Sequence, residues 1–491
     1  MVQIYIAKIQ KQSVKYLFNC NMLCIFAKIS EIMIQHIQLK KGLNIPIKGE
    51  AELKIEKSII SEVVSVKPTN FKNLTPKLLV REGDSVKAGS ILFIDKYRPE
   101  IGFASPVSGV VETVVRGEKR KLLEIRVKAD KTTEYIKFNT PELSKATSEE
   151  IKQVLLESGL WASVIQRPYG IVANPKDEPK AIFVSGFDSA PLAPDYDFVL
   201  KNEAENLQVA VDVLNKLTKG GVYVSVKGKS GSTSPFSKLN NVKLYGFSGP
   251  HPAGNVGVQI NNISPINKGE IVWTIDPMLL VAIGKLFKQG IYDLTRTIAV
   301  AGNRVDKPCY VTCLPGTQIK DLQFLFKNKE VEIFDQPTGC RYISGNVLTG
   351  NNVGLDGSLD FYSNMVSVIS EGNYYEMFGW AKPIRFGKFS FSKSYFSWLT
   401  PKKKYKVDTN TNGGERAFVV SDVYGKVLPM DIYPVYLVKA ILAEDIDKME
   451  QLGIYEVIEE DLALCEYVCP SKINIQEIVA KGINTMIKEM A

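Results

Sequence analysis

Histidine is the scarcest chemically active residue in this chain. The 491 residues include only His36 and His251. Metal centres built on several imidazoles are therefore excluded, and any general base comes from these two side chains or from carboxylates. The seven cysteines are too few for a disulfide scaffold and favour a reducing compartment, so we expect a cytoplasmic protein.

Several motifs of autonomous enzymes are also missing. The chain has no G-x-x-x-x-G-K-[ST] loop and no G-x-G-x-x-G turn between its predicted α/β strands, so nucleotide phosphates lack their usual cradle. A G-x-S-x-G elbow and an H-E-x-x-H helix are absent too. No window approaches the roughly 18–20 apolar residues of a membrane-spanning helix. These absences disfavour an enzyme that works alone.

The composition is that of a folded protein with several domains. Hydrophobic residues make up 45% and charged residues 23% of the chain, and the formal charge is +8. At about 100–200 residues per domain, three or four domains are expected. The charge is modest for this length, which disfavours a dedicated nucleic-acid binder.

The first part of the chain predicts an extension followed by a small β domain. Residues 1–32 are expected to be a disordered or mis-assigned extension, because patterned sequence starts near Met33. Over 33–130, short strands alternate with Gly, Pro and Asp turns, in an order that resembles biotinyl and lipoyl carrier domains, the barrel-sandwich hybrid fold. Arg98 stands where such carriers have their modifiable lysine, so the domain is expected to act as a scaffold.

The rest of the chain predicts an α/β protein with a helical end. In 147–292 a capping box at Thr147, a helix over 204–217 and strands near 180–186 and 221–226 indicate a parallel, Rossmann-like domain. Residues 293–350 resemble a soluble-ligand-binding β-grasp (SLBB-like) domain. The C-terminal region, 351–491, carries helical spacing over 432–449 and 459–469.

One loop is the strongest candidate for ligand binding. It combines one of the two histidines with residues that stiffen the backbone or allow close approach: Gly249, Pro250, His251, Pro252, Gly254 and Asn255. The alternative is a tight crossover after a strand over 242–247, with a structural histidine.

Two cysteine pairs with a spacing of four residues are weak metal candidates. Cys309 and Cys313 fall in a predicted strand, and Cys465 and Cys469 fall near the C-terminus. Known four-thiolate sites mainly use a closer spacing. We therefore expect packed free thiols and no metal.

A basic and aromatic segment covers 377–407. It contains eight Lys or Arg, nine aromatic residues and no acidic residue. This composition suits an anionic membrane surface, or docking on a membrane protein, better than nucleic acid in a chain with no other basic bias. A solvated hairpin face is the alternative.

Nine short segments spread over the chain carry a family resemblance: I-Q-L-K-K-G-L-N-I-P-I-K-G at 37–49, R-G-E-K-R at 116–120, E-S-G-L-W at 157–161, G-P-H-P-A-G at 249–254, G-K-L-F at 284–287, L-T-G at 348–350, F-G-W at 378–380, T-N-T-N-G at 409–413 and E-D-L-A-L-C-E-Y-V-C-P at 460–470. With these segments, residues 34–491 resemble the family of A subunits of the Na⁺-translocating NADH:quinone oxidoreductases (Na⁺-NQR), bacterial respiratory sodium pumps. The resemblance implies a peripheral subunit on the cytoplasmic face of the inner membrane. Its partners would be the other five subunits of a complex that oxidises NADH, reduces ubiquinone or menaquinone and exports Na⁺.

The same resemblance implies that flavins and iron–sulfur centres lie on other subunits and that this chain binds none. Related electron-input subunits, in proton-pumping and Rnf complexes, carry a Gly-rich flavin loop that is replaced here by bulky residues over 158–168. If quinone contacts this protein, His251 is expected to be a hydrogen-bond donor or proton source to a quinone oxygen. The alternatives are an assembly module that binds no small molecule and an Rnf-like electron-input subunit.

Overall fold

A computed structural model of the chain describes residues 34–228, 234–327, 331–333, 336–374, 376, 378–379, 385, 387–393 and 395–490. The predicted extension over 1–32 lies outside the described residues, as do 377, 380–384, 386 and 394 of the basic and aromatic segment. None of the helices in the described ranges has the length and apolarity needed to cross a bilayer.

The first domain is built from short antiparallel strands. The chain starts with β1 (Gln35–Gln38), β2 (Ile55–Ser58), β3 (Val63–Val66), β4 (Pro76–Leu78), β5 (Ser85–Val86), β6 (Ile91–Asp95), β7 (Gly102–Ala104), β8 (Gly109–Arg116) and β9 (Leu122–Ala129). One sheet has the order β3-β9-β8-β5 and the other β4-β6-β7. Phe93 and Phe103 from one sheet and Ile125 from the other share one buried core.

The turn between β6 and β7 is fixed to the neighbouring domain. Arg98 Nε donates to Asp95 Oδ2 at 2.9 Å, and its Nη1 donates to the carbonyl of Val172 at 3.0 Å. Arg98 thus ties the first domain to the second.

The first two strands pair outside the sheets that follow them. β1 pairs in parallel with the strand at Val242–Ser248, and β2 pairs in parallel with the strand at Cys309–Cys313. The start of the predicted 33–130 domain therefore contributes strands to two other sheets.

The second domain is an α/β unit. Its elements are α1 (Ser148–Glu157), β10 (Ile165–Arg167), β11 (Ile171–Val172), β12 (Ile182–Ser185), α2 (Tyr196–Val199), α3 (Ala204–Asn215), β13 (Val222–Lys227), β14 (Val242–Ser248), α4 (Val256–Ile263), β15 (Val272–Thr274) and α5 (Pro277–Gln289). The sheet order is β1-β14-β13-β12-β15-β10-β11. In this sheet β1, β14, β13, β12 and β15 pair in parallel. Strand β10 pairs antiparallel with β15, and β11 pairs antiparallel with β10. Thr147 forms the predicted capping box with Glu150 at the start of α1.

Helices cover both faces of this sheet. Ile182 and Val184 of β12 belong to the core that contains α3 and α5, whereas Phe183 between them packs with Ile260 of α4. Side chains alternate between the two faces of a strand, so these contacts place α3 and α5 opposite α4. Helix α4 begins directly after the candidate loop, at Val256.

The third sheet is mixed. It contains β16 (Arg296–Ala301), β17 (Cys309–Cys313), β20 (Cys340–Ser344), β21 (Asn351–Asn352) and β22 (Met365–Ser370), and a separate hairpin joins β18 (Val331–Ile333) to β19 (Gln336–Thr338). The order is β2-β17-β16-β22-β20-β21, with β16 and β22 parallel. A 3-10 helix, Ile319–Leu325, lies between β17 and β18. Because β22 lies between β16 and β20, the sheet extends past residue 350, where the sequence pattern ended this domain.

The C-terminal region packs helices into a core that it shares with the second domain and the third sheet. They are α6 (Val423–Val427), α7 (Pro434–Leu442), α8 (Ile446–Gln451), α9 (Ala463–Val468) and α10 (Ile475–Met490). The helical spacing over 432–449 belongs to two helices, because Glu444 has φ 54° and Asp445 starts a new helix by accepting from the Lys448 N–H. The spacing over 459–469 likewise covers a 3-10 turn and then α9.

Candidate ligand-binding cleft

A cleft of about 350 Å³ opens beyond the carboxyl ends of β12 and β15. Ligands of parallel α/β sheets commonly bind at this edge. The residues that line it come from all parts of the chain: Asn70, Lys72, Ser163, Ile165, Arg167, Gly170, Val172, Ser185, Phe187, Asp188, Ala190, Tyr196, His251, Gly254, Asn255, Val256, Thr274, Ile275, Asp276, Pro277, Asn346, Thr349, Tyr362, Ile458 and Glu460.

The predicted loop after β14 contributes to this wall. His251, Gly254 and Asn255 line the cleft, while Gly249 lines a neighbouring cavity. At Gly254 an added Cβ would lie 2.5 Å from the Ser189 nitrogen, so the close approach of two loops requires glycine there. Asn255 ends the loop at the start of α4, and its Nδ2 donates to the carbonyl of Glu460 at 3.3 Å.

His251 is buried and held by three hydrogen bonds, in one of which its carbonyl accepts the Leu43 N–H at 2.8 Å. Its backbone N–H donates to Asn44 Oδ1 at 2.9 Å, and its Nδ1 lies 3.0 Å from Ser189 Oγ. Ser189 Oγ already accepts the Gly254 N–H at 2.7 Å. Among the described residues the Ser189 hydroxyl has no other acceptor than His251 Nδ1, so its proton is assigned to that nitrogen and the ring proton to Nε2.

This assignment determines what His251 can do in the cleft. Burial lowers the pKa of His251 to about 4, so the ring is neutral near pH 7. Among the described residues Nε2 has no hydrogen-bond partner. The sequence left two roles open for His251, a hydrogen-bond donor and a proton source. A neutral ring with its proton on Nε2 favours the hydrogen-bond donor.

Sequence reasoning missed a group of buried polar residues beside the loop. Asp276 accepts the N–H of Met278 at 2.8 Å, which caps α5, and accepts Asn364 Nδ2 at 2.7 Å. Burial raises the pKa of both Asp188 and Asp276. Only Asp276 had a signal in the sequence, since an Asp before a Pro commonly starts a helix.

A buried ion pair brings the C-terminal region to the cleft. Arg167, at the end of β10, donates from Nη1 to Asp461 Oδ2 at 2.6 Å and from Nη2 to Glu460 Oε1 at 2.5 Å. The side chains of Arg167 and Asp461 are 1% and 0% exposed. No local pattern relates Arg167 to residues almost 300 positions away, so the sequence alone could not predict this contact.

Part of the 158–168 stretch, for which the resemblance implied bulky residues in place of a Gly-rich flavin loop, is packed into the core. Residues Leu160–Ser163 form a 3-10 helix whose side chains are all buried. Trp161 Nε1 donates to the carbonyl of Ala173 at 2.8 Å, and its ring packs edge-on against Trp273 at 5.4 Å between centroids. The indole occupies space that a loop of small residues would leave open.

The two cysteine pairs lie in different cores. Cys309 and Cys313 belong to the core of the third sheet, whereas Cys465 and Cys469 belong to that of the C-terminal helices. Burial raises the pKa of Cys313 to about 11, and the Tyr424 hydroxyl donates to Cys469 Sγ at 2.9 Å. Over the described ranges, no three His, Cys, Asp or Glu side chains are grouped in a way that could hold a metal ion.

Two family models match this chain. One is described as the NqrA N-terminal barrel-sandwich hybrid domain and matches residues 37–130, and the other as the NqrA second alpha/beta domain and matches residues 146–292. The A subunit of the Na(+)-translocating NADH-quinone reductase from Neisseria meningitidis serogroup A is 36% identical over 456 residues, which is 92% of this chain and 100% of that protein. The chain belongs to this NqrA family.

Other members of the NqrA family give the same result. The protein from Vibrio vulnificus is 37% identical over 92% of this chain and 100% of its own length. Membership confirms the resemblance drawn from the sequence motifs, and the family models confirm the barrel-sandwich domain and the α/β domain after it. The crystal structure of an NAD⁺-reducing [NiFe]-hydrogenase in the H₂-reduced state aligns with 71% of this chain and 62% of its own, at 11% identity and a TM-score of 0.35.

Proposed function

We propose that this chain is a peripheral, cytoplasm-facing subunit of the respiratory sodium pump, and that its cleft binds the head group of the quinone substrate. The pump couples NADH oxidation and quinone reduction to Na⁺ export. Family membership supports the first part. The second rests on one observation, the partnerless Nε2 of His251 at the wall of the cleft described here.

A quinone head group is a flat, uncharged ring with two carbonyl oxygens. It needs apolar walls and a hydrogen-bond donor, since each oxygen accepts but cannot donate. Phe187, Ile275 and Ile458 supply apolar surface in the cleft. Nε2–H of His251 supplies the donor, and Ser189 keeps that tautomer in place.

Flavins and iron–sulfur centres are assigned in this proposal to other subunits. Trp161 supports the assignment of flavins to other subunits, because its buried indole fills the loop that would otherwise hold the flavin phosphate. The separation of the two cysteine pairs supports the assignment of iron–sulfur centres to other subunits, because the four thiols do not lie together to bind a cluster.

The proposal includes finer assignments for three parts of the fold. The parallel strands of the second domain, with helices on both faces, support a Rossmann-like unit. In the third sheet the order β17-β16-β22-β20, with parallel central strands and a 3-10 helix between its two halves, supports a β-grasp unit. Helices α6–α10 support a helical C-terminal region.

Quinone titration of the purified full-length chain tests the cleft. We expect a short-chain ubiquinone or menaquinone analogue to bind, and His251→Ala to weaken its affinity by about fivefold, since one hydrogen bond contributes about 1 kcal/mol. Ser189→Ala is expected to weaken it less, because the neutral ring then loses only its preference for the Nε2–H tautomer.

His36→Ala is the matched control. His36 is the other histidine, and its Nε2 also meets a serine hydroxyl, Ser248 Oγ, at 2.9 Å, but it does not line the cleft. Equal affinities of the wild type and His251→Ala would remove the cleft from quinone binding and leave the assembly module. A stoichiometric flavin or cluster spectrum in the purified chain would instead favour an electron-input role.

A further inference from the structure

Residues 398–404 form an exposed stretch that is apolar at its start and basic at its end. Trp398 and Leu399 are 54% and 57% exposed, and Thr400, Pro401 and three consecutive lysines after them are exposed as well. An exposed indole beside an exposed leucine is costly in water unless a partner covers it. We call this stretch the 398–404 segment.

The base of the 398–404 segment is anchored on both sides. Ser397 and Tyr405, which flank it, are buried. The Tyr405 N–H donates to the carbonyl of Pro46 at 2.7 Å, and the carbonyl of Tyr405 accepts the Lys48 N–H at 2.9 Å. Within the segment, the Lys403 N–H donates to the carbonyl of Thr400 at 3.0 Å. Trp398 and Leu399 are therefore presented by ordered backbone, so little conformational entropy is lost when a partner covers them.

The charge around the segment is positive. Lys402, Lys403 and Lys404 are followed by Lys406, and no acidic residue occurs between 377 and 407. One nearby carboxylate, Glu50, pairs with Lys404. Lys403 also lies over the Tyr405 ring, 5.3 Å from its centroid. Four lysines thus lie within five positions with no acidic residue among them, so this part of the chain is positively charged.

An anionic bilayer offers an apolar boundary for the start of the 398–404 segment and negative charge for its lysines. Tryptophan and leucine enter the boundary between head groups and acyl chains, where the indole keeps its N–H in contact with water. Lysines beside them bind the lipid phosphates, and each contributes about fivefold to binding near an anionic surface. A protein groove could cover Trp398 and Leu399, but the uninterrupted row of lysines favours a surface with many mobile negative charges.

We propose that the 398–404 segment inserts Trp398 and Leu399 into the interface of an anionic phospholipid bilayer while Lys402 and Lys403 bind the lipid phosphates. This inference names a partner for the basic and aromatic segment, and it rests on the proposed function because that function places the chain at a membrane.

Vesicle sedimentation of the purified full-length chain is the test. We expect binding to vesicles of phosphatidylglycerol and phosphatidylcholine, little binding to phosphatidylcholine alone, and weaker binding at high ionic strength. Lys402→Gln with Lys403→Gln is expected to lower the partition coefficient by roughly 30-fold, as the product of two fivefold losses. Trp398→Ala with Leu399→Ala is expected to weaken binding while its salt dependence remains.

Matched controls come from the first domain. Lys121→Gln with Lys131→Gln removes two exposed lysines, and Leu79→Ala shortens a residue that is 51% exposed. Neither is expected to change vesicle binding. In the wild type, tryptophan emission should shift to shorter wavelength on anionic vesicles, and Trp398→Phe should remove most of that shift while vesicle binding persists.

Equal binding of the wild type and both segment variants would overturn the proposal. So would binding that requires membranes already carrying the other subunits, which would indicate a protein partner. The quinone titration involves no vesicles and the cleft variants leave the 398–404 segment intact, so the two proposals succeed or fail separately.

Discussion

The ion pair between Arg167 and Asp461 is the contact whose removal should cost the most stability. It joins the last residue of β10 to the C-terminal region beside the cleft, and both side chains are almost completely buried. Arg167→Met removes the charge and keeps much of the side-chain volume. Asp461 is then left in the protein interior, where its Oδ2 retains only the Ile458 N–H, at 3.0 Å.

The expected loss is about 3–5 kcal/mol, because breaking a buried pair from one side leaves an uncompensated charge. Glu460 adds little to this figure, since its side chain is 39% exposed and can be solvated. Replacing both members of the buried pair, Arg167→Met with Asp461→Leu, is expected to recover much of the loss, because no buried charge remains. This recovery separates an electrostatic cost from a simple packing defect.

Guanidinium unfolding followed by tryptophan fluorescence measures the effect, since Trp161 and Trp273 are buried in the domain that carries Arg167. Limited proteolysis should also release the C-terminal region sooner in Arg167→Met. Lys288→Met is the control, because Lys288 and its partner Glu205 are 44% and 84% exposed, and it should cost less than about 1 kcal/mol. A loss in Arg167→Met no larger than in this control would refute the reasoning.

Three further predictions concern single residues. The folded pKa of His251 is about 4 against an ordinary 6.5, so the unfolded chain binds more protons between these values. Stability should therefore fall by about 3 kcal/mol as pH drops from 6.5 to 4, and His251→Gln should flatten this part of the unfolding-versus-pH curve. Gly284→Ala should cost about 1–3 kcal/mol in chemical unfolding, because the added Cβ would overlap the carbonyl of Asn206 where α5 crosses α3; an unchanged midpoint would contradict that close packing. Thr147→Ala should cost about 1 kcal/mol by removing the capping box with Glu150, whereas Thr132→Ala in an exposed loop should cost much less.

Local signals in the sequence predicted many of the elements. The capping box at Thr147 and the apolar period over 204–217 located α1 and α3, because both depend on residues within a few positions of each other. The partners of β1 and β2 were not predictable in this way. β1 and β2 pair with strands far along the chain, and the apolar pattern of a short strand does not specify its neighbour.

In the candidate site, too, local sequence predicted some features and distant contacts set the others. The composition of the loop around His251 indicated a rigid segment that could meet a ligand, and the loop does line the cleft. The properties that matter for chemistry come from elsewhere: Asn44 holds the backbone of His251, and Ser189 orients its ring. Neither residue stands out in the sequence, because a serine or an asparagine in a loop is ordinary until the fold places it.

The cleft wall contributed by the C-terminal region explains why the cleft depends on the whole chain. Glu460 and Ile458 reach it from the C-terminal region, and Arg167 fixes that region through Asp461. Loss of the ion pair should therefore loosen one wall while the bonds of His251 to Ser189 and Asn44 remain. Quinone affinity in Arg167→Met would then fall without any change in the donor, whereas His251→Ala would lower affinity with the ion pair intact. If the two effects are independent, their free energies add in the double variant; a smaller combined loss would indicate that the C-terminal wall and the histidine act on the quinone as one unit.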